Sequence, residues 1–384
     1  MSTKVVVLGA GFGGLELVTR LDDVIPEQVE ITLIDKSASF TFGFSKLDVM
    51  FGKRRLDEVR APYRDITRPG IGYRQETILS IDPRTRQVVT DGGTYDTDIL
   101  VVALGADYDV DATPGLAEGG YEFYSLGGAE RSGSALAAFD GGAVIVSVLG
   151  PVFKCPGAPI ETVLLVNDFL TSRGLRERST IQLTSPLPMP IPISKATSAA
   201  LQALLDAAGI ECSFSTMVTR LDPKARTAHL NDGRALPYDL FLGIPVHCAP
   251  DVVRASEIAE DGWIPVDPAT FETKFPGVFA VGDVTSAPVP RAGGMAEREA
   301  ATVADVLIAR LTGGAAPPPF DGAAACYVET GAESVARIDV NFLAYDVPVA
   351  KFNTPTAELV AEKHTWGTSR LTRWFGYDDA DDRI

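Results

Sequence analysis

The chain has 384 residues, 46% hydrophobic and 22% charged, an ordinary globular composition that at roughly 100–200 residues per domain implies two or three domains. Lys and Arg number 34 against 51 Asp and Glu, a net charge of −17, which disfavours nucleic acid and broad adsorption to anionic lipid. No apolar run approaches the roughly 20 residues of a membrane-spanning helix. After Met1-Ser2-Thr3-Lys4 the chain passes straight into Val5-Val6-Val7-Leu8 with no secretory leader, so a cytoplasmic protein is expected.

Residues 5–8 read as a strand buried on both faces. Gly9-Ala10-Gly11-Phe12-Gly13-Gly14 then opens a helix that runs to about residue 21, and residues 30–34 form a second strand ending at Asp35. Gly9, Gly11 and Gly14 make G-x-G-x-x-G between strand and helix. The first glycine permits the turn, the second lets the backbone approach a pyrophosphate, and the third lets helix pack on strand. The phosphates would rest on the helix N-terminus. Asp35, 21 residues past Gly14, is placed for ribose hydroxyls.

Further along, Ile81-Asp82-Pro83-Arg84-Thr85-Arg86 leads through Asp91-Gly92-Gly93 to Tyr95-Asp96 and an apolar run. The pattern returns 140 residues later, as Leu221-Asp222-Pro223-Lys224-Ala225-Arg226, then Asp232-Gly233-Arg234, Tyr238-Asp239 and another apolar run. Each copy reads as a hairpin with an Asp-Gly turn feeding a buried strand. The repetition predicts two similar dinucleotide-fold domains.

Between the copies, a strand at 143–149 leads into Gly150-Pro151-Val152-Phe153-Lys154-Cys155, with no second glycine fingerprint. The next strand, 180–183, ends in Thr184-Ser185, with no acid for a ribose. A nicotinamide cofactor is therefore not expected there in the usual way. Cys155 precedes a helix whose dipole is expected to lower its thiol pKa. Pro156 and Pro159 suit a helix start, and Glu161 is near enough in sequence to shuttle a proton.

Three segments carry a family resemblance. Gly277-Val278-Phe279-Ala280-Val281-Gly282-Asp283 resembles the second flavin motif of flavoproteins with two dinucleotide-binding domains, in which the Asp binds the ribitol of FAD. Val102-Ala103-Leu104-Gly105 resembles the chain-crossing motif of that superfamily. Cys155-Pro156-Gly157-Ala158-Pro159-Ile160-Glu161 resembles the C-x-x-A-P-x-E segment of sulfide:quinone oxidoreductases and of the flavin subunit of flavocytochrome c sulfide dehydrogenases. Cys326, in Ala325-Cys326-Tyr327-Val328-Glu329, matches the C-terminal cysteine of the same group.

The resemblance implies an α/β fold of two Rossmann-like domains, the second inserted in the first, with a C-terminal β+α segment over the flavin face. It puts the FAD domain at 1–112 and 241–315, the second domain at 113–240 and the C-terminal segment at 316–384, and Ala315-Ala316-Pro317-Pro318-Pro319 reads as a linker from its composition. The implied FAD contacts are Gly9, Gly11, Phe12, Gly13 and Gly14 in the first turn, and Asp35 and Lys36 after the second strand. Ile78, Ala103 and Gly105 follow, then Gly282, Asp283, Arg291 and Gly293, the last opening a helix over 295–311 whose N-terminus would face the flavin pyrimidine. The implied catalytic group is Cys155, Cys326 and Glu161: a redox disulfide attacked by sulfide or a small thiol, whose electrons pass through FAD to a quinone or another acceptor. The same FAD motifs suit a type II NADH dehydrogenase-like or ferredoxin-reductase-like enzyme, which would need the missing second fingerprint. They also suit a flavoprotein that only binds or signals.

The sequence departs from that family in two ways. The quinone-linked enzymes typically carry another cysteine some thirty residues before C-x-x-A-P, and residues 121–133 hold none. The flavocytochrome type often tethers FAD through an early cysteine, but no cysteine precedes Cys155 and no histidine precedes His229, so FAD is expected to be non-covalent. No cysteine spacing suits a metal. Cys212 reads as core and Cys248 as an alternative flavin-side thiol, while His229 and His364 read as surface or packing. A helix is expected from 356 to about 375, followed by an acidic solvated end at 378–382. Its Trp366, Trp374 and Phe375 read as core packing ahead of a quinone contact or a weak peripheral contact at the inner face of a membrane. Homodimer formation is left open.

Overall fold

The computed structural model describes residues 2–378, so the acidic end from 379 onward lies outside the described residues. Two parallel five-stranded sheets organise the chain. The first runs in the order Val278–Ala280, Ile99–Val102, Thr3–Leu8, Val29–Asp35, Ile71–Gln75. The second runs Tyr121–Glu122, Leu240–Ile244, Gly142–Val148, Ser179–Thr184, Glu211–Ser213. Every strand of the second sheet lies in sequence between Ile99–Val102 and Val278–Ala280 of the first, so the fold is α/β with one Rossmann-like unit inserted in another. Central strands such as Thr3–Leu8 and Ile99–Val102 are buried nearly throughout, as continuous apolar runs in parallel sheets require.

The internal repeat is a structural one. Ile78–Asp82, Gln87–Thr90 and Thr94–Asp96 form one antiparallel three-stranded sheet, and Val218–Asp222, Thr227–Leu230 and Ala235–Pro237 form the other. Both first turns are built alike. Asp82 Oδ1 accepts from the Arg84 N–H at 2.9 Å, and Asp222 Oδ1 accepts from the Lys224 N–H at 3.1 Å. Arg86 and Arg226 then close the turns in the left-handed region, at φ 58° and 49°.

The two parallel sheets are joined by a short antiparallel pair, Asp107–Asp109 with Val246–Cys248. The C-terminal segment is an antiparallel sheet, Ala323–Gly331, Ser334–Asn341 and Val349–Thr356, followed by the helix Ala357–Phe375. Trp374 and Phe375 are each 1% exposed, so they are core and unavailable to a membrane. Trp374 packs edge-on against Phe12 and Phe40, and its indole N–H donates to the buried Glu16 at 3.0 Å. Arg373 holds the same carboxylate at 3.0 and 3.1 Å. Each buried aromatic contributes about 1.5–3 kcal/mol, enough to fix this helix against the first domain. Among the described residues, no helix is long and apolar enough to cross a membrane.

The first glycine turn shows the packing that its sequence implies. A Cβ on Gly14 would stand 1.9 Å from the Gly9 carbonyl oxygen, whereas one on Gly11 would meet nothing within 4 Å. Gly14→Ala should therefore cost on the order of 2 kcal/mol and lower the melting temperature by several degrees. Gly11→Ala, compared without bound ligand, should melt like the parent. Equal melting of the two variants would contradict the turn described.

Candidate functional site

A cavity of about 420 Å³ lies at the C-terminal ends of the first sheet's strands, the usual ligand position in such sheets. Thr3–Leu8 delivers Gly9 and Gly11 to it, and Val29–Asp35 delivers Asp35. Ile99–Val102 delivers Ala103 and Gly105, and Val278–Ala280 delivers Gly282 and Asp283. Phe12, Gly13 and Gly293 complete this side. Gly9, at φ 98°, passes so close to the Ala103 carbonyl that a Cβ would stand 2.4 Å from its oxygen. Helix Phe12–Val24 begins at Gly11 with no side-chain cap, leaving its first N–H groups for a ligand. Asp35 braces the turn by accepting from the Ala10 N–H at 2.8 Å.

Four of the expected contacts stand elsewhere. Gly14 is buried behind the turn, where it serves helix packing. Lys36 is exposed beside Asp35 and does not line the cavity. Ile78 packs into the hydrophobic cluster around Val6, Leu8 and Ile34. Arg291 also lies off the cavity. Its guanidinium donates to the carbonyls of Asp283 and Thr285 at 2.8 and 2.9 Å and stacks 3.9 Å from the Trp263 ring centroid, so it supports the loop that presents Asp283.

Cys155, Glu161 and Cys326 line the same cavity, brought together from the second domain and the C-terminal sheet. Both cysteines are free thiols and partly buried. Cys155 sits at φ 57°, an unusual place for a side chain with a Cβ, and its N–H donates to the Arg291 carbonyl at 2.7 Å. Cys326 lies on Ala323–Gly331, opposite Ile338.

The expected lowering of the Cys155 pKa is not found. Burial pushes this thiol well above its ordinary value, and Cys326 and Glu161 push it further. A backbone hydrogen bond from Ala158, at the start of the helix, opposes the shift and loses to burial. Cys326 is pushed up to about 11 by burial and then by Glu161.

Glu161 is 3% exposed, and burial raises its carboxyl to about 7 against the pull of Lys363. Its Oε1 accepts from the Glu329 N–H at 2.9 Å and lies 4.0 Å from Lys363 Nζ. Lys363, itself buried, is hydrogen-bonded to the Glu329 carboxylate, which also holds Lys53 at 2.7 Å. Lys363 and Trp366 line the cavity, as do Lys46, Tyr124 and Lys154. Sequence reading assigned no role to these lysines or to Tyr124, and it placed Trp366 first in the core. Only the position of Lys154 beside Cys155 gave a local signal.

Cys248 and Cys212 lie off the cavity. His229 is half-buried on Thr227–Leu230 and His364 is exposed. Among the described residues, no cluster of His, Cys, Asp and Glu is arranged to hold a metal. The first side of the cavity fits a flavin dinucleotide. The uncapped helix start suits the pyrophosphate and Asp35 suits a ribose. Asp283, half-buried but with a buried Oδ1 that has no partner, is an acceptor waiting for a hydroxyl donor.

Comparison with known proteins agrees with this geometry. The mitochondrial sulfide:quinone oxidoreductase of Mus musculus is 22% identical over 365 residues, covering 91% of this chain and 80% of that protein. The X-ray structure of the sulfide:quinone oxidoreductase from Aquifex aeolicus superposes with a TM-score of 0.87 at 21% identity, covering 98% of this chain and 92% of that one, a likeness of fold. A type II NADH:quinone oxidoreductase of Staphylococcus aureus is 38% identical, but over 104 residues, 27% of this chain and 26% of that protein. The profile of the pyridine nucleotide-disulphide oxidoreductases matches residues 3–304, and with the paired strand ends gathered at one cavity the chain belongs to that family.

Proposed function

We propose that the chain is an FAD-dependent sulfide oxidoreductase working through Cys155 and Cys326, with a quinone or another carrier as final acceptor. The observation that carries this reading is the placement of two thiols, 171 residues apart in sequence, on one cavity with a buried carboxyl that acts electrostatically on both. FAD, when bound, supplies the two-electron acceptor. Gly9, Gly11, Asp35, Gly282 and Asp283 hold it, and helix Gly293–Thr312 directs its N-terminus to the cavity.

The protein's own groups account for the sulfur chemistry. Hydrosulfide attacks one sulfur of the oxidised Cys155–Cys326 pair. The cysteine–cysteine bond breaks, a persulfide forms on the attacked residue, and the other sulfur leaves with the electron pair. Sulfide is oxidised by two electrons and the disulfide reduced by two. Burial holds both thiols above neutrality, so the leaving sulfur needs a proton. Glu161, raised to about 7, is the acid beside it.

The NADH reading lacks its turn. The first sheet crosses from strand to helix through residues 9–11, whereas the second takes residues 149–157 between Gly142–Val148 and Ala158–Ser172. Phe153 fills that longer crossing, and Ser179–Thr184 ends in Thr184, bonded to Ser147 at 2.7 Å, where a ribose would need an acid.

Anaerobic protein should be bleached by sulfide and hardly at all by NADH, followed as flavin absorbance. Fast bleaching by NADH would favour the NADH dehydrogenase reading. Cys155→Ser and Cys326→Ser should each retain FAD yet lose sulfide-driven reduction. The double variant should be hardly worse than either, because the pair acts as one unit. Substantial activity in Cys326→Ser alone would remove the paired mechanism.

Glu161 gives a pH signature. It is protonated below about 7, so the rate per hydrosulfide should fall roughly tenfold per pH unit above that point. Glu161→Gln should be slower by about 100-fold or more and lose that limb. An unchanged profile in the variant would assign the proton to another group.

A further inference from the structure

A second charged group on the cavity wall is not used by the chemistry above. Lys46 comes from the short helix Ser45–Met50 of the first domain, and Lys154 immediately precedes Cys155 in the second. Both line the cavity. Lys46 Nζ donates to the Tyr124 carbonyl at 2.7 Å, and Lys154 Nζ lies 4.7 Å from the Tyr108 ring centroid. One frame holds both. Tyr108 Oη donates to the same Tyr124 carbonyl at 3.1 Å, and Tyr124 Oη donates to the Lys154 carbonyl at 3.1 Å. Among the described residues, neither ammonium is ion-paired.

The charges around them leave a surplus of positive charge. Burial, and next Lys154, push the Lys46 ammonium down to about 7, with Glu122 and Asp283 pulling the other way. Glu122 is already committed to the Tyr124 and Ser125 N–H groups at 3.0 and 2.9 Å, and to Arg131 at 3.3 Å. His247, edge-on to Tyr108 and Tyr124, is held neutral, its pKa lowered to about 3 by burial and then by Lys154. Asp283 therefore faces two cations from inside the cavity. Tyr108, Asp283 and Asp107 hold the Lys154 ammonium above its ordinary value against burial, which leaves Lys46 as the cation short of a counter-charge and costly to keep charged unless a ligand supplies it.

We propose that Lys46 and Lys154 form an anion subsite beside Cys155 that captures a small sulfur monoanion, of the hydrosulfide or hydropolysulfide class. The choice of sulfur ligand rests on the sulfide reading above; the anion subsite itself rests on the lysines. With Asp283 offsetting one cation, one negative charge completes the balance. Tyr108 and the Tyr124 carbonyl hold the two ammoniums on the cavity wall.

Thiocyanate, a sulfur monoanion that does not reduce the protein, is the probe. Titrated calorimetrically into the oxidised FAD-loaded protein at pH 6.5 and constant ionic strength, it should bind at one site. Its affinity should fall roughly tenfold per pH unit above 7 as Lys46 loses its proton. Lys46→Met and Lys154→Met should each weaken it at least about tenfold. Lys46→Arg and Lys154→Arg should restore binding, and Lys46→Arg should also flatten the pH dependence, because arginine stays charged. Equal thiocyanate affinity in the methionine variants would overturn the proposal, as would loss of FAD with anion binding unchanged. If thiocyanate binds as expected while sulfide fails to bleach the flavin, the anion subsite stands and the sulfide reading falls. Bleaching without lysine-dependent binding would do the reverse.

Discussion

The Cys155 N–H donates to the Arg291 carbonyl across 2.7 Å, and the arrangement of the cavity depends on that bond. It ties the start of helix Ala158–Ser172 to the loop that carries Asp283. A non-glycine residue at φ 57° costs on the order of 1–3 kcal/mol, and the bond helps to offset that strain. Arg291 in turn is fixed through its guanidinium, which holds two carbonyls of its own loop and covers Trp263. The thiol and the orphaned carboxylate are thus positioned by one short chain of contacts between two domains.

The C-terminal segment closes the same arrangement from the other side. Strand Ala323–Gly331 brings Cys326 to the cavity, and three residues later its Glu329 N–H satisfies the buried Glu161. That strand is held by the sheet behind it and by helix Ala357–Phe375, which is anchored through Trp374, Phe375 and the Glu16–Arg373 pair. Lys363 comes from the same helix. A change that loosens this helix therefore loosens Cys326, the buried Glu161 and Lys363 beside it together.

What was legible in the sequence was local. The glycine turn needs six consecutive residues, and the steric reasons for Gly9 and Gly14 act within that turn and on its nearest neighbours. The Gly282-Asp283 strand end and the Asp-Pro turns of the repeat are equally self-contained. The thiol expectation reversed because a helix dipole is set by local sequence, whereas burial depends on three distant segments closing over the sulfur. Lys46 and Lys363 carried no pattern, and Lys154 only its place beside Cys155, since lysine is ordinarily solvated and becomes informative only when the fold buries it. Ile78 and Arg291 were assigned to the cofactor, yet one packs under the sheet and the other braces a loop. Proximity in sequence to a motif does not tell which way a side chain is turned.

Burial also explains why acid and base in this cavity share one pH range. It raises Glu161 and lowers Lys46, each to about 7, because removing water penalises whichever form carries charge. Below that point Glu161 is neutral and Lys46 is cationic. The cavity is then at its most positive and still holds a proton to give. Above it, Glu161 becomes anionic as Lys46 becomes neutral, so the cavity loses positive charge while Lys154 and Lys363, both held above their ordinary values, stay cationic. In the mechanism proposed above, capture of a negative ligand and protonation of the displaced sulfur fall to separate residues. A single physical cause brings both groups to about 7, one from below and one from above, so that mechanism loses both tasks together as pH rises.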